Sequence, residues 1–478
     1  MVVNSSHGVG ATHGVGATQA GQAGQAGLGG RRHIHVVGIG GAGMSAIAEV
    51  LLAMGHEVSG SDTTASAVLE RLSGLGVSVT IGHDPASVAG AELVTASTAV
   101  PADNVELAAA RAGGVPVLSR AQALAAIAAR RRTVAVAGTH GKTTTSAMIA
   151  IILGRAGQRP SFVIGGRLGD LRTGGHWDEG EWIVVEADES DGTFVELPVQ
   201  VGVVTSIAAD HLDHWGDLPT LVDAFARFLE GAEVALVCAD DGPAARVGAR
   251  VGGALSYGTV EGADYRATGL ELAPAACRFV LERGGHALGE VCVPQPGRHN
   301  ALNATAAMAV ALELGVSFVN ASTGLAAFPG VDRRFQARGH AGGVSFVDDY
   351  AHLPAKVAAA VDSARVGGWR RVVCVFQPHR YSRTQALATD FASAFDGVDQ
   401  LVVTDIYGAG ERPRPGVTAK LVVDAVCDAR PTLAVAWMPQ RQDVVAFLGT
   451  RLRSGDLCLT LGAGDITTLA DDLLAIRR

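Results

Sequence analysis

The strongest constraint on the fold is a unit that recurs along the chain. A short apolar run ends in glycine or polar residues, and an alanine-rich helical pattern follows. The unit starts at HIHVVGIGGAGMS, again at RTVAVAGTHGKTTT and again at VSFVDDYAHLP. Alternating strands and helices of this kind form parallel sheets covered by helices. Because ligands bind such sheets beyond the carboxyl ends of the strands, the pattern predicts an α/β protein with its functional residues in these loops.

The three starts of this unit predict three domains in a chain of 478 residues. We place them at residues 31–122, 123–327 and 328–478. Residues 1–30 are of low complexity, since HGVGAT at 7–12 recurs at 13–18. Such a composition is typical of a disordered tail.

Composition narrows the classes of partner. The net charge of −9 does not suit binding to nucleic acid or to anionic lipid. Charged and strongly polar residues interrupt every apolar stretch, so no membrane span is expected. The tail has neither the apolar core of a signal peptide nor the arginines of a transit peptide, which favours a cytoplasmic protein. The six cysteines lack CxxC spacing and are interpreted as reduced core residues.

The first glycine loop, GIGGAG at residues 38–43, lies between a predicted strand and a helix. Its glycines would let the backbone approach a pyrophosphate at the positive end of the helix. Asp62 follows at the end of the second strand, where a ribose contact is expected. Taken alone, the loop is compatible with an NAD enzyme, with a nucleotide-sugar site or with a tight turn.

The second glycine loop, GTHGKTT at residues 138–144, offers successive backbone amides to phosphate oxygens. Lys142 places a cation on the β- and γ-phosphates, and the Thr143 hydroxyl can ligate Mg²⁺. Only three of the 38 lysine and arginine residues are lysines, and one of them occupies this position. A dehydrogenase needs only the first loop and a simple ATPase only the second. An enzyme that uses ATP on a nucleotide-linked substrate needs both.

Acidic residues and a histidine follow two further strands. The acids of VVEADESDG are Glu186, Asp188, Glu189 and Asp191. A solvated acidic loop is one interpretation, but beside a phosphate loop Mg²⁺ ligation is the better one, because Mg²⁺ prefers oxygen ligands. His211 lies in ADHLDHW between Asp210 and Asp213. A lone histidine is usually structural, whereas its acidic neighbours indicate a metal or phosphate site.

Seven segments in this order resemble the Mur ligases: GTHGKTTT, EADESDG, ADHLD, GRHNALNA, VDDYAH, FQPHRYSRT and GAGDIT. HVVGIGGAGMS with SGSD is similar to the N-terminal uridine-nucleotide domain of these enzymes. The resemblance covers about residues 31–470. FQPHRYSRT separates the chain from sister ligases that add later residues or recycled peptides.

The resemblance implies a Rossmann-like domain that binds the UDP part of the substrate and a central ATPase domain of the P-loop type with a mostly parallel sheet. It also implies a Rossmann-like C-terminal domain that closes over the amino acid. The implied reaction joins L-alanine to the lactyl carboxylate of UDP-N-acetylmuramate in peptidoglycan precursor synthesis. ATP phosphorylates the carboxylate, and the amine displaces phosphate from the acyl phosphate. Partners would be these small molecules alone, with the enzyme a monomer or a weak homodimer.

The resemblance also assigns residues. ATP would bind Gly138, Thr139, His140, Gly141, Lys142, Thr143, Thr144, His299, Asn300, Asn303 and Arg334. One Mg²⁺ would bind Thr143 and Glu186 and a second His211, with Mn²⁺ as an alternative ion. UDP would bind Gly38, Gly40, Gly41, Gly43, Ser61, Asp62, His83, Ser97 and Thr98. The amino acid and acyl phosphate would meet Tyr350, His352, His379, Arg380 and Arg383. The catalytic set would be Lys142, Glu186, His211, Arg380 and Arg383.

Several positions depart from the family pattern. Ala208 stands where TNIE has glutamate, Gln122 replaces a common glutamate, and VDDYAHLPAK replaces DDYGHHPTE. The last change introduces Leu353 and Ala355 and, at Lys356, reverses a charge. These departures leave open another acceptor such as glycine, serine or a recycled peptide. They also leave open an impaired paralogue that binds the UDP-sugar only.

Overall fold

The computed structural model describes residues 28–169, 173–190 and 192–477. Most of the predicted tail therefore lies outside the described residues. Leu28, which we assigned to the tail, is 5% exposed and packs into the main core. The packed chain thus includes residues before Arg31.

The N-terminal domain is built on a five-stranded parallel sheet in the order β3-β2-β1-β4-β5. The strands are β1 His33–Val37, β2 Glu57–Asp62, β3 Ser78–Ile81, β4 Leu93–Ala96 and β5 Val117–Ser119. The helices are α1 Ala42–Ala53, α2 Ala67–Gly74, α3 Val105–Ala112 and α4 Arg120–Ala128, with a short 3-10 helix at Pro85–Val88. This is the Rossmann-like arrangement that the family resemblance implies.

The central domain has a ten-stranded sheet in the order β15-β14-β13-β12-β11-β10-β6-β9-β7-β8. The strands are β6 Arg132–Ala137, β7 Ser161–Leu168, β8 Thr173–His176, β9 Trp182–Glu186, β10 Val201–Val204, β11 Val234–Cys238, β12 Leu255–Gly258, β13 Tyr265–Leu272, β14 Cys277–Arg283 and β15 His286–Val293. The helices are α5 Lys142–Arg155, α6 Leu212–Trp215, α7 Leu218–Leu229, α8 Gly242–Val251, α9 Arg298–Glu313 and α10 Phe318–Ala326, with a 3-10 helix at Thr193–Glu196. The sheet is mostly parallel, as expected, but both of its edges are antiparallel.

The C-terminal domain has a six-stranded sheet in the order β16-β17-β21-β18-β19-β20, parallel except for the β16–β17 pair. The strands are β16 Gln336–Ala341, β17 Val344–Asp349, β18 Arg371–Phe376, β19 Gln400–Val403, β20 Ala434–Trp437 and β21 Asp456–Leu461. The helices are α11 Pro354–Arg365, α12 Tyr381–Leu387, α13 Lys420–Ala429, α14 Arg441–Arg451 and α15 Leu469–Arg477, with 3-10 helices at Thr389–Ser393 and Asp465–Thr468. Separate apolar clusters cover the two faces of this sheet.

The first two domains share one apolar core, which Phe328 and Val331 at the start of the third domain also join. Helix α1 lies so close to β8 that a Cβ on Gly175 would meet the Ala46 carbonyl oxygen. The C-terminal domain is connected through a β-bridge between Leu168 and Val331 and an ion pair between Arg167 and Asp332. The carboxyl ends of β6, β9, β10 and β17 therefore surround one space.

Two predictions about composition can be compared with the structure. Among the described residues, no helix is long and apolar enough to cross a membrane. All six cysteines are free thiols, and four of them are buried as predicted, but Cys292 is half-buried and Cys427 is exposed.

Candidate active site

A cavity of about 570 Å³ lies where the three domains meet. The phosphate loop, the acidic segment after β9 and His211 line it from the central domain. Helix α1 and Arg120 line it from the N-terminal domain, and β17, α11 and α12 with their loops from the C-terminal domain. Lys142, Glu186 and His211, the three residues on which the predicted chemistry depends, therefore face one void.

The phosphate loop turns through two glycines with positive φ, Gly138 at 132° and Gly141 at 82°. A side chain at Gly141 would be strained, and its Cβ would lie 2.5 Å from Asn303 Oδ1. Helix α5 starts at the next residue. Within the described chain, the backbone amides of residues 141–144 donate to no protein acceptor. These free amides at a helix N-terminus make an anion site.

Lys142 is held inside this loop by its own chain. Its Nζ donates to the Gly138 carbonyl oxygen at 2.7 Å and to Glu189 Oε2 at 2.6 Å. Burial disfavours the ammonium, but the carboxylates of Glu189, Asp188 and Glu186 outweigh it and raise the pKa of Lys142. Lys142 is therefore a fixed cation, and Glu189, only 1% exposed, is its counter-ion.

The acidic segment divides its carboxylates between two tasks. Glu186 accepts from the Thr143 hydroxyl at 2.9 Å and from the Gly165 amide at 2.6 Å. Asp188 instead forms an ion pair with Arg120 at 3.0 Å. Burial opposes its ionisation, but Lys142 and Arg120 lower the pKa of Asp188 to about 2. Asp191 lies outside the described residues.

The donor set fits Mg²⁺ delivered with a nucleotide. The Thr143 hydroxyl and the Glu186 carboxylate lie side by side, and both are oxygen donors of the kind Mg²⁺ prefers. In the described part of the chain, no group of three or more His, Cys, Asp or Glu side chains could hold a metal ion. A protein-only metal cage is thus not seen there. A nucleotide-bound Mg²⁺ needs only one or two protein ligands, because phosphate oxygens and water supply the rest.

His140, within the phosphate loop, and His211 both line the cavity. His211 adopts the left-handed conformation at φ 55°, and its Nε2 lies 3.6 Å from Asp210 Oδ2. Burial and the nearby Lys356 and Lys142 lower the pKa of His140 to about 4. Its Nδ1 is buried with no hydrogen-bond partner among the described residues. His140 is therefore a neutral ring.

Asn300 and Asn303 on α9 are buried and brace the loop. The Asn303 amide donates to Asn300 Oδ1 at 3.3 Å and its Oδ1 accepts from the Thr145 hydroxyl at 3.2 Å. Asn300 donates to the Pro296 carbonyl oxygen at 2.7 Å. With His299 they line the cavity beside the phosphate loop. Desolvation of the His299 ring by the surrounding protein lowers its pKa to about 4, although the residue as a whole is exposed.

Arg334 connects the C-terminal domain to the phosphate loop. Its Nη2 donates to the Thr143 hydroxyl at 3.1 Å, and its guanidinium lies 5.4 Å from the Tyr350 ring centroid. The neighbouring Phe335 has a positive φ of 47° and donates its amide to Asp349 Oδ2 at 2.7 Å. Asp349 thereby fixes the turn that directs Arg334 toward the loop.

The predicted amino-acid residues form a chain of rings next to Arg334. Tyr350 and His352 make a T-shaped pair at 5.2 Å, and His352 contacts His379 at 5.3 Å. Arg383 Nη1 donates to His379 Nδ1 at 2.9 Å. Burial, then Arg383 and Arg380, lower the pKa of His379 to about 4, so its ring is neutral and can accept this bond.

The predicted UDP residues surround the first glycine loop. The Gly38 amide donates to the Ser61 carbonyl oxygen at 2.8 Å, and the Gly40 amide donates to Asp62 Oδ2 at 2.9 Å. Ser97 packs against Gly38, and Thr98 is exposed next to it. His83 lies 3.1 Å from the Ser61 hydroxyl and 3.0 Å from Glu106 Oε2.

Some of the predicted site residues line the central cavity, and others do not. The lining of the central cavity includes Gly43, Thr139, His140, Gly141, Lys142, Thr143, Thr144, Glu186, His211, His299, Asn300, Asn303, Arg334, Tyr350, His352 and Arg383. It does not include Gly38, Gly40, Gly41, Ser61, Asp62, His83, Ser97, Thr98, Gly138, His379 or Arg380. Arg380 is exposed, and its backbone amide bonds to the Tyr407 carbonyl oxygen at 2.8 Å.

Sequence reasoning did not place Arg120 or Glu106 in the site, and it interpreted Glu189 as a Mg²⁺ ligand. Arg120 binds Asp188 from the N-terminal domain, and Glu189 holds Lys142. Glu106, fully buried, accepts from the Ser61 hydroxyl at 2.5 Å beneath the first loop. The sequence shows only that Glu106 lies in a helical segment. Its burial, which is the feature that would mark it as functional, cannot be read from that pattern.

Two departures from the family pattern have a structural explanation. Gln122 completes a capping box with Ser119 at the start of α4, a task that glutamine performs as well as glutamate. Ala208 contacts the Thr139 hydroxyl only through its backbone, with its amide donating at 2.9 Å.

Family models match the three domains in order. The Mur ligase family, catalytic domain, matches residues 33–132, the Mur ligase middle domain matches 136–311, and the Mur ligase, glutamate ligase domain, matches 333–464.

Relatives span nearly the whole chain. UDP-N-acetylmuramate–L-alanine ligase of Geobacter sp. (strain M21) is 44% identical over 92% of this chain and 96% of its own. The protein of that name from Acidothermus cellulolyticus is 45% identical over 93% of this chain and 95% of its own.

Solved structures show the same fold. The UDP-N-acetylmuramate-alanine ligase of Thermotoga maritima has a TM-score of 0.81 at 27% identity, covering 93% of this chain and 98% of that one. A murein peptide ligase of Psychrobacter arcticus has a TM-score of 0.70 at 23% identity over 93% of this chain and 98% of that one, which shows the fold alone. From its three matched domains and these relatives, the chain belongs to the Mur ligase family.

Proposed function

We propose that this protein joins L-alanine to the lactyl carboxylate of UDP-N-acetylmuramate, with ATP converted to ADP and phosphate. One observation carries the proposal: a phosphate loop with Lys142, a carboxylate at Glu186 and arginines of the C-terminal domain line one cavity. The relatives that cover more than nine-tenths of this chain and bear the name of this activity support the same reaction.

In this proposal, the loop binds the triphosphate and orients its terminal group. The free amides at the start of α5 and the Lys142 ammonium bind phosphate oxygens. Arg334 supplies a further cation from the opposite domain. A carboxylate is a poor electrophile, and phosphorylation supplies its leaving group. The residues lower the barrier by holding the carboxylate and terminal phosphate in line and by stabilising the charge on the transferred oxygens.

The ATP-dependent reaction of this family uses Mg²⁺, which neutralises phosphate charge when bound. We assign one ion to Thr143 and Glu186 and a second to His211. The support for the first assignment is the contact between the Thr143 hydroxyl and Glu186. For His211 the support is its position on the same cavity, beside Asp210.

The amino acid is assigned to the pocket lined by Tyr350, His352 and Arg383. Arg383 can pair with the amino-acid carboxylate through its planar guanidinium, because His379 accepts only one of its N–H groups. We assign the UDP part to the first glycine loop with Ser61, Asp62 and His83. Residues 31–122, 123–327 and 328–478 remain our proposed domain limits, although residue 122 falls inside helix α4.

Phosphate release by the purified full chain tests the proposal. Release should require ATP, Mg²⁺, UDP-N-acetylmuramate and an amino acid together, and mass spectrometry should detect the alanyl product. Glycine, L-serine and a murein tripeptide serve as competing acceptors. Faster turnover with any of these would contradict the L-alanine assignment. An absence of turnover with retained UDP-sugar binding would instead indicate the impaired paralogue.

A further inference from the structure

Lys356 is a charged cavity residue that the assigned chemistry does not use. It lies in the first turn of α11 and lines the cavity shared by the three domains. It stands where the family pattern has a glutamate, so the charge at this point of the site is reversed. Because the substrates assigned to this cavity are anions, a positive charge in place of a negative one lets this part of the cavity surface attract them.

The three lysines of the chain differ in their partners. Lys142 is paired with Glu189 at 2.6 Å, and Lys420 on α13 is paired with Asp424 at 2.5 Å. The Lys356 ammonium makes no ion pair or hydrogen bond with any of the residues in 28–169, 173–190 and 192–477. A half-buried ammonium with no partner is costly unless a ligand provides the opposite charge.

The charged groups that act on Lys356 identify the end of the cavity it faces. They are Lys142, Asp210, Arg334 and Glu189, which surround the phosphate loop. Burial, followed by repulsion from Lys142, lowers the pKa of Lys356 to about 8. An anion between the two lysines would relieve this repulsion. Arg383 and Tyr350 already supply the assigned amino-acid pocket, and of the first glycine loop only Ala42 and Gly43 reach the cavity lining.

We propose that Lys356 binds the terminal phosphate of the nucleoside triphosphate from the C-terminal domain, facing Lys142. This inference rests on the proposed function, because it assumes that a triphosphate occupies the phosphate loop. Lys142 approaches the phosphate from the loop below and Arg334 from beside Thr143. Lys356 adds a compact positive charge from α11, which makes terminal-phosphate binding sensitive to the position of the C-terminal domain.

The test compares two nucleotides that differ in the terminal phosphate. Calorimetry with Mg²⁺ gives the dissociation constants of ADP and of the non-hydrolysable triphosphate AMP-PNP for the wild type and for Lys356→Met. We expect AMP-PNP to bind about tenfold more weakly to the variant, while ADP affinity changes less than about twofold. Lys356→Arg, which keeps the charge, should retain most of the AMP-PNP affinity.

Lys420→Met is the matched control, because it removes a lysine that is exposed, paired with Asp424 and absent from the cavity lining. Equal weakening of ADP and AMP-PNP in Lys356→Met would overturn the inference and indicate a structural role. Unchanged AMP-PNP binding would overturn it as well. A wild type that fails to bind AMP-PNP would reject the proposed function itself, so the two failures are distinguishable. If Lys356→Met lowers the melting temperature, the comparison is made with Lys356→Gln, on the same criteria.

Discussion

The two glycine loops share a strand–turn–helix geometry but differ in what their amides and side chains do. In the first loop, Asp62 accepts from the Gly40 amide and Ser61 accepts from the Gly38 amide. In the second, the amides at the start of α5 have no acceptor in the described chain, and Lys142 lies inside the turn. Both loops are thus partly satisfied by their own domains, since Ser206 accepts from the Thr139 and His140 amides of the second. The second differs in the fixed cation that Lys142 places beside its free amides.

We therefore expect the first loop to contribute to substrate binding and the second to the chemical step. A loop without a cation, such as the first, recognises a ligand by shape and by a few hydrogen bonds. A loop with free amides and a fixed cation can stabilise charge that develops on a phosphate during transfer. Substitutions in the second loop should therefore lower kcat, and substitutions at the first should raise KM for the UDP-sugar.

Of the substitutions that test this division between the loops, Lys142→Met should have the largest effect. It removes the cation that we assign to the transferred phosphate, and we expect kcat to fall by roughly 10²–10³-fold. The dissociation constant for UDP-N-acetylmuramate, measured by calorimetry, should stay within about twofold, because that ligand is assigned to the other loop.

Because Lys142→Met leaves Glu189 buried without its counter-ion, Lys142→Met/Glu189→Gln is the control for stability. Both variants should lose turnover, and the double variant should recover the melting temperature. A loss of UDP-sugar binding by the double variant, or turnover near the wild-type rate, would break the division between the loops.

Arg334→Gln tests the contribution of the C-terminal domain to the second loop. The variant loses the contact with Thr143 and a cation, and we expect a fall in kcat of about 10²-fold. Arg298→Gln is a suitable control, because Arg298 is an exposed arginine paired with Asp240 outside the cavity lining. A fall in UDP-sugar affinity with kcat retained would contradict the assignment of Arg334.

The parallel part of the fold could be predicted from the sequence, because each apolar strand ends in a visible loop. The antiparallel strands β13 to β15 could not be predicted in the same way. Their residues alternate between buried and exposed, as in Cys277–Arg283, and they carry no glycine loop with a ligand. The positions of these strands in the sheet depend on packing against α9 and α10, which a local sequence pattern does not reveal.

The site was predictable only where its residues adjoin a loop motif. Lys142 and Thr143 follow from the chemistry of the phosphate loop, whereas the roles of His299 and Arg383 were implied only by the family resemblance. The pair of Arg120 and Asp188 joins residues 68 positions apart and two domains. Such a contact depends on how the domains are packed, and nothing in either local segment encodes it.

Asp62→Ala is expected to act on the first loop alone. It removes the acceptor for the Gly40 amide and the carboxylate assigned to the ribose. KM for UDP-N-acetylmuramate should rise about tenfold with kcat unchanged, as measured by initial rates. Glu57→Ala, at the exposed opposite end of β2, should behave as the wild type. A fall in kcat with unchanged KM would show that the first loop takes part in the chemical step.

The smallest expected effect is a pH dependence that arises in the second loop, because the first loop contains no titratable side chain. Burial, Lys356 and Lys142 lower the pKa of His140 from 6.5 to about 4. Between pH 6.5 and pH 4 the unfolded chain therefore binds the proton more readily than the folded one, so stability falls as the pH falls through this window. In His140→Gln the decrease in melting temperature between pH 6.5 and pH 5 should be smaller than in the wild type. The contribution of one such group stays below about 1.4 kcal/mol per pH unit. A His140 ring proton that titrates near pH 6.5 by NMR would show instead that the ring is solvated and that the second loop is more open than the first.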